Sequence, residues 1–233
     1  MEETKLQLKT PFGYTFGQDF VKEDLSELKK IKLFAKGTAQ GPQGSTNGQN
    51  PFSILKQYPY SEKILTKYFQ KFADAFYGRR VNFKITTSWA VKLTKGEAVH
   101  HHNHNNCIWS AVYYYGKYTE KSCPLMFVNP INASTLFRID GAPNTHNPMI
   151  TDVAIPPETD KIIFFPSWIY HYSQLNMEDT RYSLAFNLMS TDEIGLGDST
   201  YSPKMMIEDS KSKSLKGFGS VSYTHLRAHE TRR

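Results

Sequence analysis

Residues 96–116 read GEAVHHHNHNNCIWSAVYYYG, in which a tract rich in histidine and asparagine runs directly into an apolar, aromatic strand. Side chains two residues apart on an extended chain point to the same face, so His102 and His104 can contact one metal ion. His100 and His102 have the same spacing and form an alternative pair. Counting back from the strand WSAVYYY favours His102 and His104. This stretch therefore predicts a β-rich fold with a metal site where one strand begins.

Strand character continues through residues 80–190. The segments that show it are VNFKITTSWAVKL, IWSAVYYY, PLMFV, MITDVAI, KIIFF and RYSLAFNLM. Glycine, proline, asparagine and aspartate separate them, and no helical pattern intervenes. Many short strands joined by such turns are typical of an antiparallel sandwich or barrel. We therefore predict a mainly β protein in which residues 80–190 form a jelly roll, with a pocket between its two sheets.

Residues 1–79 are predicted to be a helical and loop segment that supports this core. Apolar residues recur at helical spacing over 22–33, which indicates an amphipathic helix. A stronger helix is expected over 61–77, with Ser61 as its N-cap and Gly78 as its stop. Its apolar face comprises Leu65, Phe69, Phe72 and Phe76. We expect these N-terminal helices to pack on one sheet of the jelly roll.

Three segments fall outside the predicted elements. Residues 37–51 are rich in glycine, glutamine and asparagine, which is typical of a surface connector, although long loops also serve as lids over sites. Residues 191–220 form a C-terminal extension. Residues 221–233 are basic and unlike the rest, and they resemble translated sequencing-adaptor DNA. We expect a non-native tail there and leave it out of the functional interpretation.

The amino-acid composition limits the classes of protein to which this sequence can belong. The 233 residues are 14% aromatic, which suits one domain with a β-rich core. The net charge of +6 is spread along the chain, so a nucleic-acid partner is not indicated. No apolar run approaches ~20 residues and no signal peptide opens the chain, so we expect no membrane span and a cytoplasmic location. Cys107 and Cys123 are then expected to be reduced.

Two predicted strands later in the sequence provide further residues for the predicted metal site. His171 follows FPSW on a separate strand, where an isolated histidine has no evident packing role. In RYSLAFN, alternation places Arg181, Ser183, Ala185 and Asn187 on one face and the large apolar residues on the other. A guanidinium inside a sandwich needs an anionic partner, and the sequence nearby offers no carboxylate. We therefore predict a small-molecule carboxylate held by Arg181 and the Ser183 hydroxyl.

Four features in order resemble the family of 2-oxoglutarate- and iron(II)-dependent oxygenases of the phage and marine-bacterial type. They are SW at 88–89, the HNH of 102–104 followed by WSAVYYY, PLMFVNP, and FPSWIYH with RYSLAFN. The ordered set is specific, whereas any one piece would be weak. The resemblance covers residues 80–190 and implies a double-stranded β-helix, which is the jelly roll already predicted.

The resemblance also implies a site and an activity. Iron(II) would be bound by His102, His104 and His171, and the distal carboxylate of 2-oxoglutarate would be held by Arg181 with help from Ser183. Dioxygen is the third reactant. The implied enzyme is a dioxygenase that couples decarboxylation of 2-oxoglutarate, with release of succinate and carbon dioxide, to oxidation of a second substrate, usually hydroxylation. Neither the prime substrate nor the oligomeric state has a signature in the sequence.

The sequence departs from the wider superfamily at the second ligand, where most members have His-x-Asp and this chain has a histidine at 104. A third neutral ligand would leave the site one charge unit more positive. His104 could instead contact the co-substrate. Ala111 stands where the family more often has glycine. Tyr114 shares the face of His102 and His104, so we expect it to reach 2-oxoglutarate or to pack in the core, and we expect Asn187 to line the pocket.

Two alternative functions remain open at this stage. Imidazole suits zinc, copper and nickel as well as iron, so the three histidines could belong to a cupin-like metalloprotein that binds zinc or another metal. A non-catalytic, ligand-binding jelly roll is the second alternative. The non-catalytic alternative leaves the order of His102, His171 and Arg181 unexplained, whereas a metal assay together with 2-oxoglutarate turnover separates the two enzymes.

Overall fold

The computed structural model describes residues 7–9, 14–33, 53–130 and 152–202. The chain divides into two compact units, Met1–Asp192 and Glu193–Arg233, and the strands and site described below belong to the first. The predicted connector at 37–51 and tail at 221–233 lie outside the described residues. No helix in the described ranges is long and apolar enough to cross a membrane.

Strands dominate the described part of the chain. They are β1 Gln7–Lys9, β2 Phe16–Phe20, β3 Phe83–Thr94, β4 Trp109–Tyr113, β5 Leu125–Val128, β6 Asp152–Ile155, β7 Lys161–Pro166, β8 His171–Ser173 and β9 Thr180–Ser190. A six-stranded sheet has the order β1-β2-β7-β4-β9-β3, and a three-stranded sheet has the order β6-β5-β8. All the pairings between these strands are antiparallel. The prediction of a mainly β, antiparallel architecture is confirmed.

The two sheets enclose one apolar core, and a helix covers the outside of the larger sheet. Phe16, Phe127 and Phe165 belong to the core that both sheets share. The helix α1, Pro59–Tyr77, buries Phe69 and Phe72 against the other face of the large sheet. Phe72 stacks on Phe164 of β7 with ring centroids 5.2 Å apart. Helix packing on one sheet is therefore as predicted.

The N-terminal helices differ from the prediction in their boundaries. α1 begins at Pro59, which has a backbone already suited to a first helical turn, and the Ser61 side chain bonds to Glu27 instead of capping the helix. The helix ends at Gly78, which has a left-handed φ of 65°. Over 22–33 only a short 3-10 helix forms, Ser26–Lys30. Its apolar residues recur every three positions, the period of a 3-10 helix, and this explains the difference.

Two strands, β1 and β2, lie where the sequence predicted only helices and loops. β2 pairs with β7 and so extends the large sheet. Its sequence FGQDF has a glycine and two polar residues, so it lacks the alternation that reveals a strand. The glycine has a structural cause, because a Cβ at Gly17 would lie 2.5 Å from Cδ2 of Phe72. The strand is thus shaped by the helix that crosses it.

We expect Gly17→Ala to lower the free energy of unfolding by about 1–3 kcal/mol, since the added methyl group would overlap a fully buried ring. Chemical denaturation of the purified protein measures the change. Gly17→Ala combined with Phe72→Leu should lose less than the sum of the two single changes, because the smaller side chain makes room. Strict additivity would show that the methyl group is accommodated without contact.

Candidate metal centre

The histidine tract lies beside β8. His102 and His171 form an antiparallel bridge, with N–H to O distances of 3.0 and 2.8 Å. The His104 N–H then donates to the Ser167 carbonyl at 2.9 Å. The tract therefore runs antiparallel to the segment from Ser167 to His171. This pairing brings together the three histidines that the sequence predicted as a group.

The three imidazoles are close enough to share one ion. The ligand atoms of His102, His104 and His171 all lie within 4.8 Å of one another. The Nε2 atoms of His104 and His171 are 3.2 Å apart. Two nitrogens bound side by side to one ion at about 2.1 Å would be about 3 Å apart, so the spacing fits. In the described part of the chain, no carboxylate belongs to this cluster.

Backbone carbonyls fix the tautomers of two of the rings. Nδ1 of His102 is 2.7 Å from the His100 carbonyl, and Nδ1 of His171 is 2.9 Å from the Ile169 carbonyl. A carbonyl only accepts hydrogen bonds, so Nδ1 carries the proton in both rings. The Nε2 lone pairs are then available for a metal. This arrangement is common for metal-binding histidines, in which one nitrogen is oriented while the other binds.

Burial keeps the imidazoles neutral. It lowers the pKa of His102, and with the nearby His102 ring it lowers the pKa of His104 to about 4. Burial, together with the other two rings, brings the pKa of His171 well below its ordinary value. Neutral imidazole is the form that binds metal, so no proton has to be removed at pH 7. The donor set therefore fits a divalent transition metal such as iron(II).

The alternative pair, His100 and His102, does not form in the structure. The His100 side chain is exposed and only its carbonyl takes part, as the acceptor for His102. The His101 ring stacks on Tyr170, with centroids 4.9 Å apart. The geometry brings His104, rather than His100, to the cluster.

Arg181 lies in the same cavity as the histidines. Its side chain is 2% exposed, although it carries a full charge. Nε donates to the Cys123 carbonyl at 2.9 Å and Nη2 donates to the Tyr114 hydroxyl at 3.1 Å. Within the described ranges, no carboxylate lies at ion-pair distance from this guanidinium. A buried cation with only neutral partners indicates a missing anion.

The cavity that contains the histidines and Arg181 has a volume of about 60 Å³, and most of the predicted site residues line it. Those that line it are His102, His104, Ala111, His171, Arg181, Ser183 and Asn187. Tyr114 is fully buried and contacts the site through Arg181. Burial raises the pKa of Tyr114, so its hydroxyl stays protonated and can donate. A larger cavity, about 930 Å³, lies near Tyr113 and Tyr182, and its described lining contains none of the predicted site residues.

Three contributors to the cavity were not among the residues predicted from the sequence. Trp89 packs against His104 with ring centroids 5.3 Å apart. The Cys123 carbonyl orients Arg181, and no side-chain pattern reveals such a main-chain contact. Ser110 is buried on the inner face of β4, and its hydroxyl among apolar alternating residues was a readable signal. Both cysteines, Cys107 and Cys123, are free.

Comparison with known structures first identifies the class of fold. The carbocyclase SnoK of nogalamycin biosynthesis, a non-heme alpha ketoglutarate dependent enzyme, has a TM-score of 0.54 at 12% identity, over 86% of this chain and 87% of that chain. The epimerase SnoN, in complex with Fe³⁺, alpha ketoglutarate and nogalamycin RO, has a TM-score of 0.52 at 12% identity, over 88% and 87% of the two chains. These likenesses confirm the jelly-roll prediction.

A protein-family model also matches part of the sequence. Residues 87–187 match the model of the family described as "Putative 2OG-Fe(II) oxygenase". The matched segment runs from β3 to β9 and includes the three histidines, Arg181 and Ser183. No protein of curated function matches the sequence. The match covers less than half of the chain and supports the prediction of an oxidoreductase-type enzyme from a family that uses iron(II), 2-oxoglutarate and dioxygen.

Proposed function

We propose that this enzyme is a 2-oxoglutarate- and iron(II)-dependent dioxygenase that hydroxylates a second substrate and releases succinate and carbon dioxide. The observation that carries the proposal is the buried Arg181, which has no carboxylate partner among the described residues and shares a cavity with three neutral imidazoles. We further assign it to the phage and marine-bacterial type of the family, because its motifs occur in that order between residues 88 and 187.

In this proposal His102, His104 and His171 hold the iron through Nε2. Iron(II), when bound, supplies the activation of dioxygen that organic side chains cannot provide. The chain's own task is to hold the ligands still, and the His100 and Ile169 carbonyls do so by fixing two imidazole rings. The Ser167 carbonyl does the same for the backbone that carries His104.

The co-substrate would lie between the histidines and Arg181. The guanidinium is already oriented by Cys123 and Tyr114, so it can meet a carboxylate without rearranging. The Ser183 hydroxyl lines the cavity on the same face of β9 and would donate a further hydrogen bond. The Tyr114 hydroxyl accepts from Arg181 and keeps its own proton for the same carboxylate. Three donors would then surround one anionic group.

Apolar walls complete the site. Val91, Val112, Leu125 and Phe165 line the cavity between the polar ends. They add apolar surface beside the polar residues of the lining, which lowers the local dielectric and strengthens the charged contacts inside. Exclusion of water also protects a reactive centre from side reactions.

An all-histidine set also suits zinc, so a cupin-like hydrolase is the second candidate. The buried guanidinium opposite the histidines has no role in that chemistry. One experiment separates the two functions.

We expect the full chain, prepared without oxygen, to bind one equivalent of iron(II) and then to develop a visible charge-transfer absorbance when 2-oxoglutarate is added. Admission of oxygen should then produce succinate, which is measured directly. The matched control is the zinc-loaded protein, which should bind 2-oxoglutarate without the visible band. Iron binding without any 2-oxoglutarate binding would reject the oxygenase proposal and favour the cupin-like candidate.

A further inference from the structure

Four polar side chains, three of them buried and Thr87 half-buried, form a hydrogen-bond relay at the histidine end of the cavity. Asn187 is 8% exposed, and its carboxamide oxygen lies 2.8 Å from the Ser110 hydroxyl. Its Nδ2 donates to the Thr87 hydroxyl at 2.9 Å. The Ser110 hydroxyl lies 3.0 Å from that of Ser167, which is fully buried. The relay thus links residues of β3, β9, β4 and the turn that precedes β8, namely Thr87, Asn187, Ser110 and Ser167.

A count of donors and acceptors in this relay shows that one N–H hydrogen of Asn187 has no partner within it. Ser110 has one hydroxyl proton, and the Asn187 oxygen can only accept, so Ser110 donates to Asn187 and Ser167 donates to Ser110. One hydrogen on Nδ2 goes to Thr87. The second has no acceptor among the described residues. If the carboxamide is turned over, Nδ2 donates to Ser110 instead, and again one hydrogen remains.

The unpaired N–H of Asn187 belongs to a residue that lines the histidine cavity. Asn187 and Ser110 line the same cavity as His104. The backbone carbonyl of Ser167 accepts the His104 N–H, so the relay and the histidine cluster share one turn. Arg181 lies six residues away on β9, which is about 20 Å along an extended strand. From this spacing and the shared turn we infer that Asn187 lies nearer the metal end of the cavity and Arg181 nearer the far end.

We propose that Ser110 and Thr87 are positioning residues that hold the Asn187 carboxamide so that its spare N–H donates to an oxygen of the metal-chelating keto-acid end of 2-oxoglutarate. This inference rests on the proposed function. A buried donor without an acceptor is costly, and the group that would complete it in this cavity is an anion at the metal end. Ser110 clamps the carboxamide on one side and Thr87 on the other, so its rotation is blocked.

The test uses two ligands with the anaerobic, iron(II)-loaded full chain. The first is 2-oxoglutarate, and the second is pyruvate, which has the keto-acid end but lacks the distal carboxylate. Asn187→Ala should raise the Kd of both ligands by about tenfold or more, the value of a hydrogen bond to a charged group. Asn187→Asp, which keeps the size but replaces the donor with a negative charge, should weaken both more strongly. The Kd of iron(II) should change less than threefold in Asn187→Ala.

Ser110→Ala should weaken both keto acids less than Asn187→Ala does, because the carboxamide remains but can rotate. Added to Asn187→Ala, it should have no further effect, since a positioning residue has nothing left to position. A purely structural role would instead lower the melting temperature and add to the first change. Ser190→Ala is the matched control, because Ser190 is a buried serine of the same strand whose hydroxyl bonds to Asn82 and Asp192 and is absent from the cavity lining.

The outcomes separate the two proposals. If the unmodified protein binds iron(II) but neither keto acid, the proposed function fails. If it binds both and Asn187→Ala leaves both affinities unchanged, the oxygenase proposal stands and the inference about Asn187 is overturned. If only 2-oxoglutarate is weakened, Asn187 does not serve the keto-acid end, and the inference is likewise overturned.

Discussion

Arg181→Ala should raise the dissociation constant for 2-oxoglutarate by about two to three orders of magnitude. The guanidinium is 2% exposed and, within the described chain, is surrounded by neutral partners. Removing one partner of a buried, hydrogen-bonded charge pair costs roughly 3–5 kcal/mol, which corresponds to this loss of affinity. Titration of the anaerobic iron(II) protein, followed by its visible absorbance, measures the constant.

Related variants show whether the loss comes from the shape of the guanidinium. Arg181→Lys should recover only part of the affinity, because an ammonium group cannot make the paired planar contact. Ser183→Ala should cost about 1 kcal/mol, the value of one hydrogen bond. Iron binding should be unchanged in all three variants. Arg80→Ala is the matched control, since Arg80 is exposed and paired with Asp74. Unchanged 2-oxoglutarate affinity in Arg181→Ala would remove the main support for the oxygenase proposal.

His171→Ala should abolish stoichiometric iron(II) binding while the fold is retained. His171 provides the Nε2 that lies 3.2 Å from that of His104, and its Nδ1 is already held by the Ile169 carbonyl. The two remaining histidines are both in the short tract before β4 and cannot enclose an ion alone. Equilibrium dialysis with iron(II) measures the stoichiometry, and circular dichroism checks the fold.

Two further variants separate specific from adventitious binding. His101→Ala should leave iron binding intact, because that ring stacks on Tyr170 away from the cluster. His104→Asp should retain or strengthen binding if His104 is a direct ligand, since it provides the carboxylate that most of the wider superfamily has at this position. If His171→Ala still binds one equivalent with unchanged affinity, the three-histidine site is wrong.

The strand pattern predicted more of the site than of the N-terminal fold. Alternation in RYSLAFN was sufficient to place Arg181 and Asn187 in the cavity, because side chains on a strand alternate between faces. The spacing of two residues likewise predicted that His102 and His104 lie in one cluster, where the structure has them. β2 was missed because Gly17 exists to admit Phe72, a contact between residues far apart in sequence. The relay through Ser110 and Thr87 also depends on cross-strand register, which local patterns do not encode.

The cavity residues come from both sheets, and this has a mechanical consequence. His171 belongs to the three-stranded sheet and Arg181 to the six-stranded one. A diacid fixed to a metal at one end and to Arg181 at the other would therefore be a strut between the two halves of the sandwich. Any ligand that binds only the folded state stabilises it, by about 2.7 kcal/mol at a hundred times its Kd. Here that gain would oppose separation of the two sheets. Binding of the co-substrate and packing of the sheets against each other would therefore be thermodynamically coupled.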